Sequence, residues 1–322
     1  MNYFATELHC HTRHSDGDFD VETLLAKAKQ SELDAIALTD HNTTSCFDEL
    51  SSELQNKYLP TIKGIEWTTF FGHMLVLGCS KYVDWRTAEP DTIDEYITDI
   101  KNNGGIVGLA HPFDLGSPMC TGGAWDFHIK DFSKVNYIEV WHEDFPSVKT
   151  PNQRTKGFWQ NLLDKGYKIP LVYGKDWHND CFENNPCGCT YLAIDEKIIT
   201  PELAIQAIKD GRTAVTMANK FVFEISQKGK TFYIGDTAKK GKVTVSIKTD
   251  EAERRGQWGK FAVEPKKIKL VAENGKVEFE CDYKPEISID LNVNCKFLRA
   301  ELSGRVLDKN CEIALTSPIY FE

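Results

Sequence analysis

Residues 9–18, HCHTRHSDGD, form the stretch around which the rest of the sequence is organised. They follow a short apolar run. Alternate side chains of an extended segment point to the same face, so His9 and His11 can direct two imidazoles at one point. Asp16 comes after a turn and can return its carboxylate to that point. Because imidazole and carboxylate ligands suit zinc, manganese or iron, the stretch predicts a metal site, with an exposed polar loop as the alternative.

The composition is that of an ordinary globular protein of one or two domains, with 41% hydrophobic and 27% charged residues in a chain of 322. The formal net charge of -10 argues against long nucleic acids as partners, because phosphate backbones require a basic surface. The sequence shows neither a signal peptide nor an apolar run approaching the ~20 residues that span a bilayer. We therefore expect a cytoplasmic protein that does not associate with membranes.

The ten cysteines do not form the pattern of a secreted disulfide scaffold. Most stand singly, whereas Cys181, Cys187 and Cys189 cluster at a spacing that matches no common zinc site. We interpret these three as buried or loop thiols, with a redox or metal feature as the alternative.

Short apolar runs alternate with amphipathic segments up to about residue 218. Runs such as Asp34–Thr39, Gly105–Ala110 and Ile169–Tyr173 predict strands. Helices are predicted at Val21–Ser31, Cys46–Lys57, Thr155–Lys165 and Pro201–Asp210. This order is typical of parallel βα units. Polar residues fall repeatedly at the carboxyl ends of the runs, which form one rim in a βα barrel. Because so many strands contribute, a barrel is favoured over a doubly wound open sheet.

The pattern changes after about Lys220. The remaining runs are β-rich and separated by turn signals such as Asn274-Gly275, which predicts an appended antiparallel β-sandwich. Gly256, Trp258 and Gly259 are expected in a loop of this region. The sequence therefore predicts two domains, a metallohydrolase barrel at 1–218 and a β-sandwich accessory domain at 219–322.

Nine imidazole and carboxylate side chains lie at or close to predicted strand ends: His9, His11, Asp16, His41, Glu66, His73, His111, Asp176 and His178. Nine ligands exceed the four to six that one ion takes, and a carboxylate such as Glu66 can bridge two ions. We therefore expect two or three divalent ions. Such a cluster generates hydroxide at neutral pH and stabilises the attacking and leaving oxygens of an in-line displacement.

Five segments resemble the motifs of the PHP (polymerase and histidinol phosphatase) family: His9–Gly17, Thr39–His41, Gly64–Glu66, Ala110–Pro112 and Gly174–His178. They follow the family's order and extend over roughly residues 1–216. The resemblance implies a distorted (β/α)7 barrel with a trinuclear manganese, iron or zinc site at its carboxyl rim. It also implies that the nine side chains named above are the metal ligands.

A narrower resemblance concerns the CehA/McbA branch of this family, which includes carbaryl hydrolase. It rests on Gly64–Thr69 with Gly72-His73, on Glu139–Trp141, on Gly211–Thr213 and on the C-terminal Ser317–Tyr320. This resemblance implies an ester or carbamate substrate.

Four further residues are candidates for catalytic roles. Arg13 is expected to bind a phosphate oxygen, because guanidinium matches phosphate bidentately, and Lys175 is a second candidate cation. For both, a surface or structural ion pair is the alternative. Asp40 is expected to orient His41 or to move a proton. His142 is either a general acid near the leaving group or a rim residue.

The predicted protein is a metal-dependent phosphoesterase in which a metal-bound hydroxide attacks phosphorus and Arg13 and Lys175 hold the non-bridging oxygens. Its expected substrate is a small-molecule or short-nucleotide phosphoester. The alternative is a carbamate or carboxyl-ester hydrolase that uses the same metal site. A third possibility is a non-catalytic, metal-stabilised binding protein, although structural metal sites are usually smaller and closed.

Overall fold

The computed structural model of the protein describes residues 1–116, 122–180, 185–218, 220–250 and 261–322. Cys181 and the predicted loop residues Gly256, Trp258 and Gly259 lie outside these ranges. The helices are α1 Val21–Gln30, α2 Ser52–Lys57, α3 Ile93–Asn102, α4 Thr150–Asp164 and α5 Pro201–Lys209. The strands are β1 Asn2–Glu7, β2 Ala35–Leu38, β3 Thr61–Thr69, β4 Gly72–Leu77, β5 Ile106–Ala110, β6 Tyr137–His142, β7 Leu171–Gly174, β8 Cys189–Ile194, β9 Thr213–Thr216, β10 Lys220–Gln227, β11 Lys230–Tyr233, β12 Thr237–Ala238, β13 Gly241–Asp250, β14 Val263–Val271, β15 Val277–Asp282, β16 Glu286–Val293, β17 Phe297–Val306, β18 Lys309–Thr316 and β19 Ile319–Phe321.

Local sequence signals account for the first helix. Asp20 caps α1, because its side chain accepts a hydrogen bond of 2.7 Å from the backbone N–H of Thr23. Val21, Leu24, Leu25 and Ala28 form the buried face, at the spacing expected of an amphipathic helix. The predicted helix is confirmed.

Two other helices differ from the predictions at their ends. The segment Cys46–Lys57, predicted as one helix, is a 3₁₀ turn at Ser45–Asp48 followed by α2. Ser51 separates them, since its hydroxyl accepts from the N–H of Leu54 and so starts a new helix. α4 begins at Thr150, ahead of the predicted Thr155, with Pro151 in its first turn, where proline needs no backbone partner.

The N-terminal region is built on strands β1 to β7, which lie side by side in chain order. β1, β2 and β3 are parallel, as are β5, β6 and β7, whereas β4 is antiparallel to both of its neighbours. Beyond β7, Trp177 pairs with Cys10, which follows β1, through backbone bonds of 3.1 Å to His9 and His11. The mixed α/β architecture is thus confirmed. A complete (β/α)7 barrel stays a prediction; β3 and β4 form an antiparallel hairpin within the sheet.

The C-terminal region is β-rich, as predicted, and its strands continue the sheet of the N-terminal region. β9 pairs with β8 on one side and with β18 on the other. One buried apolar cluster contains Trp141 and Trp159 from the first region with Phe223, Leu270 and Leu302 from the second. The predicted boundary between residues 218 and 219 therefore crosses a region with a common sheet and core.

Four of the C-terminal strands, β11, β10, β13 and β16, form a separate antiparallel sheet. Cys187 and Cys189 are buried, as expected of structural thiols, and burial raises the pKa of the Cys187 thiol to about 11. Among the described residues, no helix combines the length and apolar character needed to span a lipid bilayer.

Candidate metal centre

The predicted ligands meet at one edge of the N-terminal sheet. His9 and His11 follow β1, His111 follows β5, and Asp176 and His178 follow β7. Because the carboxyl ends of parallel strands lie at the same edge of a sheet, these side chains share one cavity region. The cavity measures about 550 Å³.

The other predicted ligands reach the same edge from different positions. Glu66 lies inside β3 and not at its end, because the strand continues to Thr69. His73 lies on β4, which confirms the antiparallel position expected for it. Asp16 comes from the loop after β1, and His41 pairs with Glu66 just beyond β2.

All nine predicted ligands fall into three groups whose potential ligand atoms lie within 4.8 Å of one another. The groups are His9, His11, Glu66 and Asp176; Glu66, His73 and His111; and His11, Asp16, His41 and His178. Glu66 and His11 each belong to two groups. The arrangement matches the expectation that a carboxylate can serve two ions.

Glu66 is the buried centre of the site. Its two carboxylate oxygens face imidazole nitrogens of His73 (2.8 Å), His41 (2.8 Å), His111 (3.1 Å), His9 (3.3 Å) and His11 (3.3 Å). Burial by itself would raise the pKa of Glu66, but the surrounding histidines, His9 first, hold it well below its ordinary value. Glu66 is therefore a carboxylate, the form in which it can bind a cation.

Asp176 and Asp16 differ in exposure, with 18% and 58% of their side chains exposed. Oδ1 of Asp176 lies 2.9 Å from Nε2 of His11 and 3.1 Å from Nε2 of His9. Burial opposes ionisation of Asp176, but the charge of His9 and hydrogen bonds from nearby imidazoles hold its pKa well below the ordinary value. Asp16 is exposed, and its Oδ1 lies 3.1 Å from Nε2 of His178.

The backbone is strained where the site is assembled. The φ values of His111, Glu143 and Asp176 are 28°, 58° and 51°. They lie in the left-handed region, which residues other than glycine rarely adopt. Such conformations cost about 1–3 kcal/mol each and persist only where the surrounding structure enforces them. The strain turns these three side chains toward the cavity.

The unpaired atoms of the site fit divalent ions. Among the described residues, six buried ligand atoms have no hydrogen-bond partner: Nε2 of His9, His11 and His73, Nδ1 of His111, Oε2 of Glu66 and Oδ1 of Asp176. Buried polar atoms are nearly always paired, so a set of unpaired ligand atoms within neighbouring groups of one cluster indicates an external partner. A mixture of imidazole and carboxylate donors suits manganese, iron or zinc.

Glu139 is a supporting residue that was not predicted as part of the site. It is fully buried on β6; Oε2 lies 2.9 Å from Nδ1 of His9, and Oε1 accepts a bond of 3.2 Å from the N–H of His111. It thereby fixes the orientation of one ligand and the backbone of another. A Cβ at Gly174 would lie 2.0 Å from Oε2 of Glu139, so only glycine allows this approach. The sequence signal that could have identified Glu139 is the presence of an acidic residue inside an otherwise apolar strand.

Three further contacts complete the support. Thr68 Oγ1 lies 2.6 Å from Nδ1 of His41. Glu7 is buried and accepts backbone hydrogen bonds from His9 (2.8 Å) and Lys175 (2.9 Å), which ties β1 to the end of β7. Burial raises the pKa of Glu7 to about 7.

The structure corrects the role predicted for Asp40. Its carboxylate accepts hydrogen bonds of 2.7 Å from the N–H and the hydroxyl of Thr12 and from the hydroxyl of Ser15. It therefore holds the loop that carries Asp16, whereas His41 is oriented by Thr68. Asp40 and His41 are adjacent in the sequence, but their side chains do not meet, because successive side chains of an extended segment point to opposite faces.

The structure also corrects the positions expected for the two cations. Arg13 is exposed, and its Nε donates a 2.7 Å hydrogen bond to the carbonyl of Asp18. Lys175 is buried, with Nζ 3.6 Å from the centre of the Trp177 ring. Neither side chain lines the cavity. The Lys175 side chain is directed to the Trp177 ring and away from the cavity.

His142 lies in the cavity wall at the end of β6. Its Nε2 lies 3.2 Å from Oδ2 of Asp176, and its Nδ1 lies 3.2 Å from Oδ2 of Asp114. Burial would lower the pKa of His142, but hydrogen bonds to the Asp114 and Asp176 carboxylates raise it to about 10. The general-acid role stays a prediction.

Comparisons with known proteins agree with this picture at the level of the domain. The family model described as PHP domain matches residues 7–107, less than half of the chain. An uncharacterized protein of Methanocaldococcus jannaschii is 25% identical over 150 residues, which cover 43% of this chain and 83% of the relative.

A solved structure extends the likeness to the whole chain. It is a two-domain protein from Bacteroides vulgatus that contains a predicted PHP-like metal-dependent phosphoesterase. The TM-score is 0.57 at 17% identity, over 99% of this chain and 95% of the other. At this identity the likeness shows the fold alone. The residues that match the PHP domain model, 7–107, include six of the predicted ligands: His9, His11, Asp16, His41, Glu66 and His73.

Proposed function

We propose that the protein is a metal-dependent hydrolase that cleaves a phosphoester of a small molecule or a nucleotide. The observation that carries the proposal is the convergence of nine imidazole and carboxylate side chains, several with unpaired buried atoms, on one open cavity. A purely structural metal site would be closed and would need about four ligands. An open site of this size instead leaves room for a substrate.

The site is proposed to hold two or three ions of manganese, iron or zinc. Glu66 and Asp176 would bind on the buried side with His9 and His11, and Asp16 would bind on the exposed side. Bound divalent ions lower the pKa of water and neutralise the charge that develops on a transferring phosphoryl group.

The chain's own residues supply orientation. Glu139 holds the ring of His9 through Nδ1, so that Nε2 faces the cavity. Thr68 holds Nδ1 of His41 in the same way. Asp40 restrains the loop around Thr12 and thereby limits where Asp16 can move. Groups held in this way need little rearrangement when the substrate binds.

The similar Bacteroides vulgatus protein, described as containing a predicted PHP-like metal-dependent phosphoesterase, agrees with this proposal. The likeness supports the fold, and the chemistry rests on the ligand set of this chain. The PHP domain match covers six of the nine proposed ligands and supports the same interpretation.

Elemental analysis and a substrate panel test the proposal together. Protein loaded with manganese, iron or zinc should contain two to three ions per chain and hydrolyse at least one phosphomonoester, phosphodiester or nucleotide. His111→Ala should lose metal and turnover together, whereas His128→Ala, in an exposed pair with Asp91, should change neither. Fully loaded wild-type protein that hydrolyses no phosphoester would contradict the proposal.

A carbamate or carboxyl-ester hydrolase is the second candidate. The observation in its favour is that, within the described ranges, no lysine or arginine lines the cavity that would hold a phosphate. The resemblance to the CehA/McbA branch points in the same direction. Turnover of aryl carbamates or carboxyl esters, without turnover of any phosphoester, would establish this candidate in place of the first.

A further inference from the structure

Three side chains outside the predicted ligand set form a further group at the mouth of the cavity, and one of them, His142, also groups with His111 and Asp176 of the nine-ligand centre. They are Asp114, His142 and Glu143, and one potential ligand atom of each lies within 4.8 Å of the others. All three line the cavity. Asp114 follows β5 and its neighbour Glu143 follows β6, so the group sits at the same strand edge as the nine-ligand centre but farther out.

His142 is oriented to serve both sites. Nε2 faces Asp176 of the nine-ligand centre, and Nδ1 faces Asp114, each at 3.2 Å. The residue is only 3% exposed, and within the described part of the chain its Nδ1 makes no hydrogen bond. A cation bound at Nδ1 would replace the proton there, while Nε2 keeps its N–H toward Asp176.

The two carboxylates of the outer group are partly open to solvent. The side chains of Asp114 and Glu143 are 33% and 32% exposed. One oxygen of Glu143 accepts a hydrogen bond from Lys149, which leaves its second oxygen for another partner. Water can therefore reach the group and complete a coordination sphere.

The charge at the mouth is unbalanced. Asp114 and Glu143 lie close together, and in the described ranges the cavity lining contains neither lysine nor arginine. Lys149 approaches Glu143 but also pairs with Asp144 at 2.8 Å. Two nearby carboxylates repel each other in a partly desolvated position, and a cation between them removes that repulsion.

We propose that Asp114, His142 and Glu143 bind an additional divalent cation, distinct from the ions of the nine-ligand centre. One imidazole and two carboxylates suit manganese, iron or zinc and leave coordination positions open to water or a substrate oxygen. This inference rests on the proposed function in one respect: the outer cation supplies the positive charge that Arg13 and Lys175 were expected to supply. The outer site holds its ion less tightly than the buried centre does, because two of the three ligands of the outer site are partly exposed.

Manganese binding to the full-length protein tests the proposal. Equilibrium dialysis with elemental analysis, together with titration followed by electron paramagnetic resonance, should reveal one weakly held Mn²⁺ per chain besides the tightly held ions. Asp114→Asn and Glu143→Gln should each lower the affinity for that ion by at least about tenfold and leave the tightly held ions in place. Asp144→Asn is the matched control, since Asp144 shares Lys149 but is no member of the group.

Equal binding of the weak ion by wild type and by both variants would overturn the proposal, as would a wild-type protein without any weak ion. Loss of the tight ions in both variants would also overturn it, because the two sites would then be one. The readout is independent of turnover. Failure of the hydrolase proposal would appear instead as a protein that binds every ion and hydrolyses no substrate.

Discussion

Two groups of charged residues in the interior of this protein differ in how their charges are neutralised. At the metal centre, Glu66 and Asp176 face imidazoles, and several atoms have no hydrogen-bond partner in the described chain. Between the two regions, Glu301 and Glu312 contact Lys156, and Arg299 binds Glu301. We call this second group the boundary network.

The difference lies in how each group is neutralised. In the boundary network the charges of Lys156 and Arg299 balance those of the two glutamates, and Gln160 binds the remaining side of Arg299. The pKa of Glu301, which burial would raise, is lowered by Lys156 and Arg299. At the metal centre, within the described chain, no lysine or arginine lines the cavity beside the carboxylates. A network that is complete within the chain stabilises the fold, whereas an incomplete one binds an external cation.

Asp176→Ala should break the metal centre with the largest effect on function. The change removes a ligand atom that faces both His9 and His11, so metal content and turnover should fall together, with turnover at least about 100-fold lower. Elemental analysis and the best substrate of the panel measure both. Full metal content with normal turnover would show that Asp176 is not a ligand.

Removal of the C-terminal region should have the largest effect on stability. A chain that ends at Ala218 loses β18, the partner of β9, and exposes the apolar cluster around Trp159. We expect it to be insoluble or to lack a cooperative thermal transition. A soluble truncated chain that keeps its metal would instead show two independent domains, as the sequence predicted.

Arg299→Met should separate the boundary network from the metal centre. Removing one of the two cations that pair with buried Glu301, while Lys156 remains, should lower the free energy of unfolding by about 3 kcal/mol, with metal content unchanged. Denaturant titration and elemental analysis measure the two effects. Lys267→Met breaks an exposed pair with Glu280 and should leave the unfolding midpoint nearly unchanged. Equal effects of the two variants would contradict the assignment.

Glu139→Gln should weaken the metal centre without dismantling it. Glutamine keeps the size of the side chain but removes the charge beside His9, so metal affinity should fall about 10–100-fold. Competition with a chelator measures the affinity, and thermal unfolding of the metal-free protein serves as the control for folding. Unchanged affinity would restrict Glu139 to packing.

Arg13→Ala should have the smallest effect. The guanidinium binds the carbonyl of Asp18 and does not line the cavity, so turnover of phosphoesters should stay close to that of the wild type. This outcome differs from the role predicted from sequence, which required a loss on the order of 2–4 kcal/mol in transition-state stabilisation. A loss of that size with intact metal content would restore the predicted role.

The sequence could predict the ligand set because its signals are local. The spacing of His9 and His11 in an extended segment puts both rings on one face, and strand ends placed His111, Asp176 and His178 at a common edge. The cap at Asp20 and the apolar face of α1 are local in the same sense. The alternation of side chains, the helix cap and the ends of strands can each be recognised from residues that are neighbours in the sequence.

Tertiary structure decided what depends on residues far apart in the chain. Glu139 meets His9 across 130 positions, and β18 meets β9 across about a hundred, so no local pattern indicates either contact. Tertiary structure also decided the directions of the Arg13 and Lys175 side chains. Arg13 binds the carbonyl of Asp18 and Lys175 lies over the Trp177 ring, so both point away from the cavity. The sequence by itself determined which groups can bind metal, since that follows from side-chain chemistry and local spacing. Only the tertiary structure determined which of the remaining charges reach the cavity, since that depends on backbone direction and on partners brought together by packing.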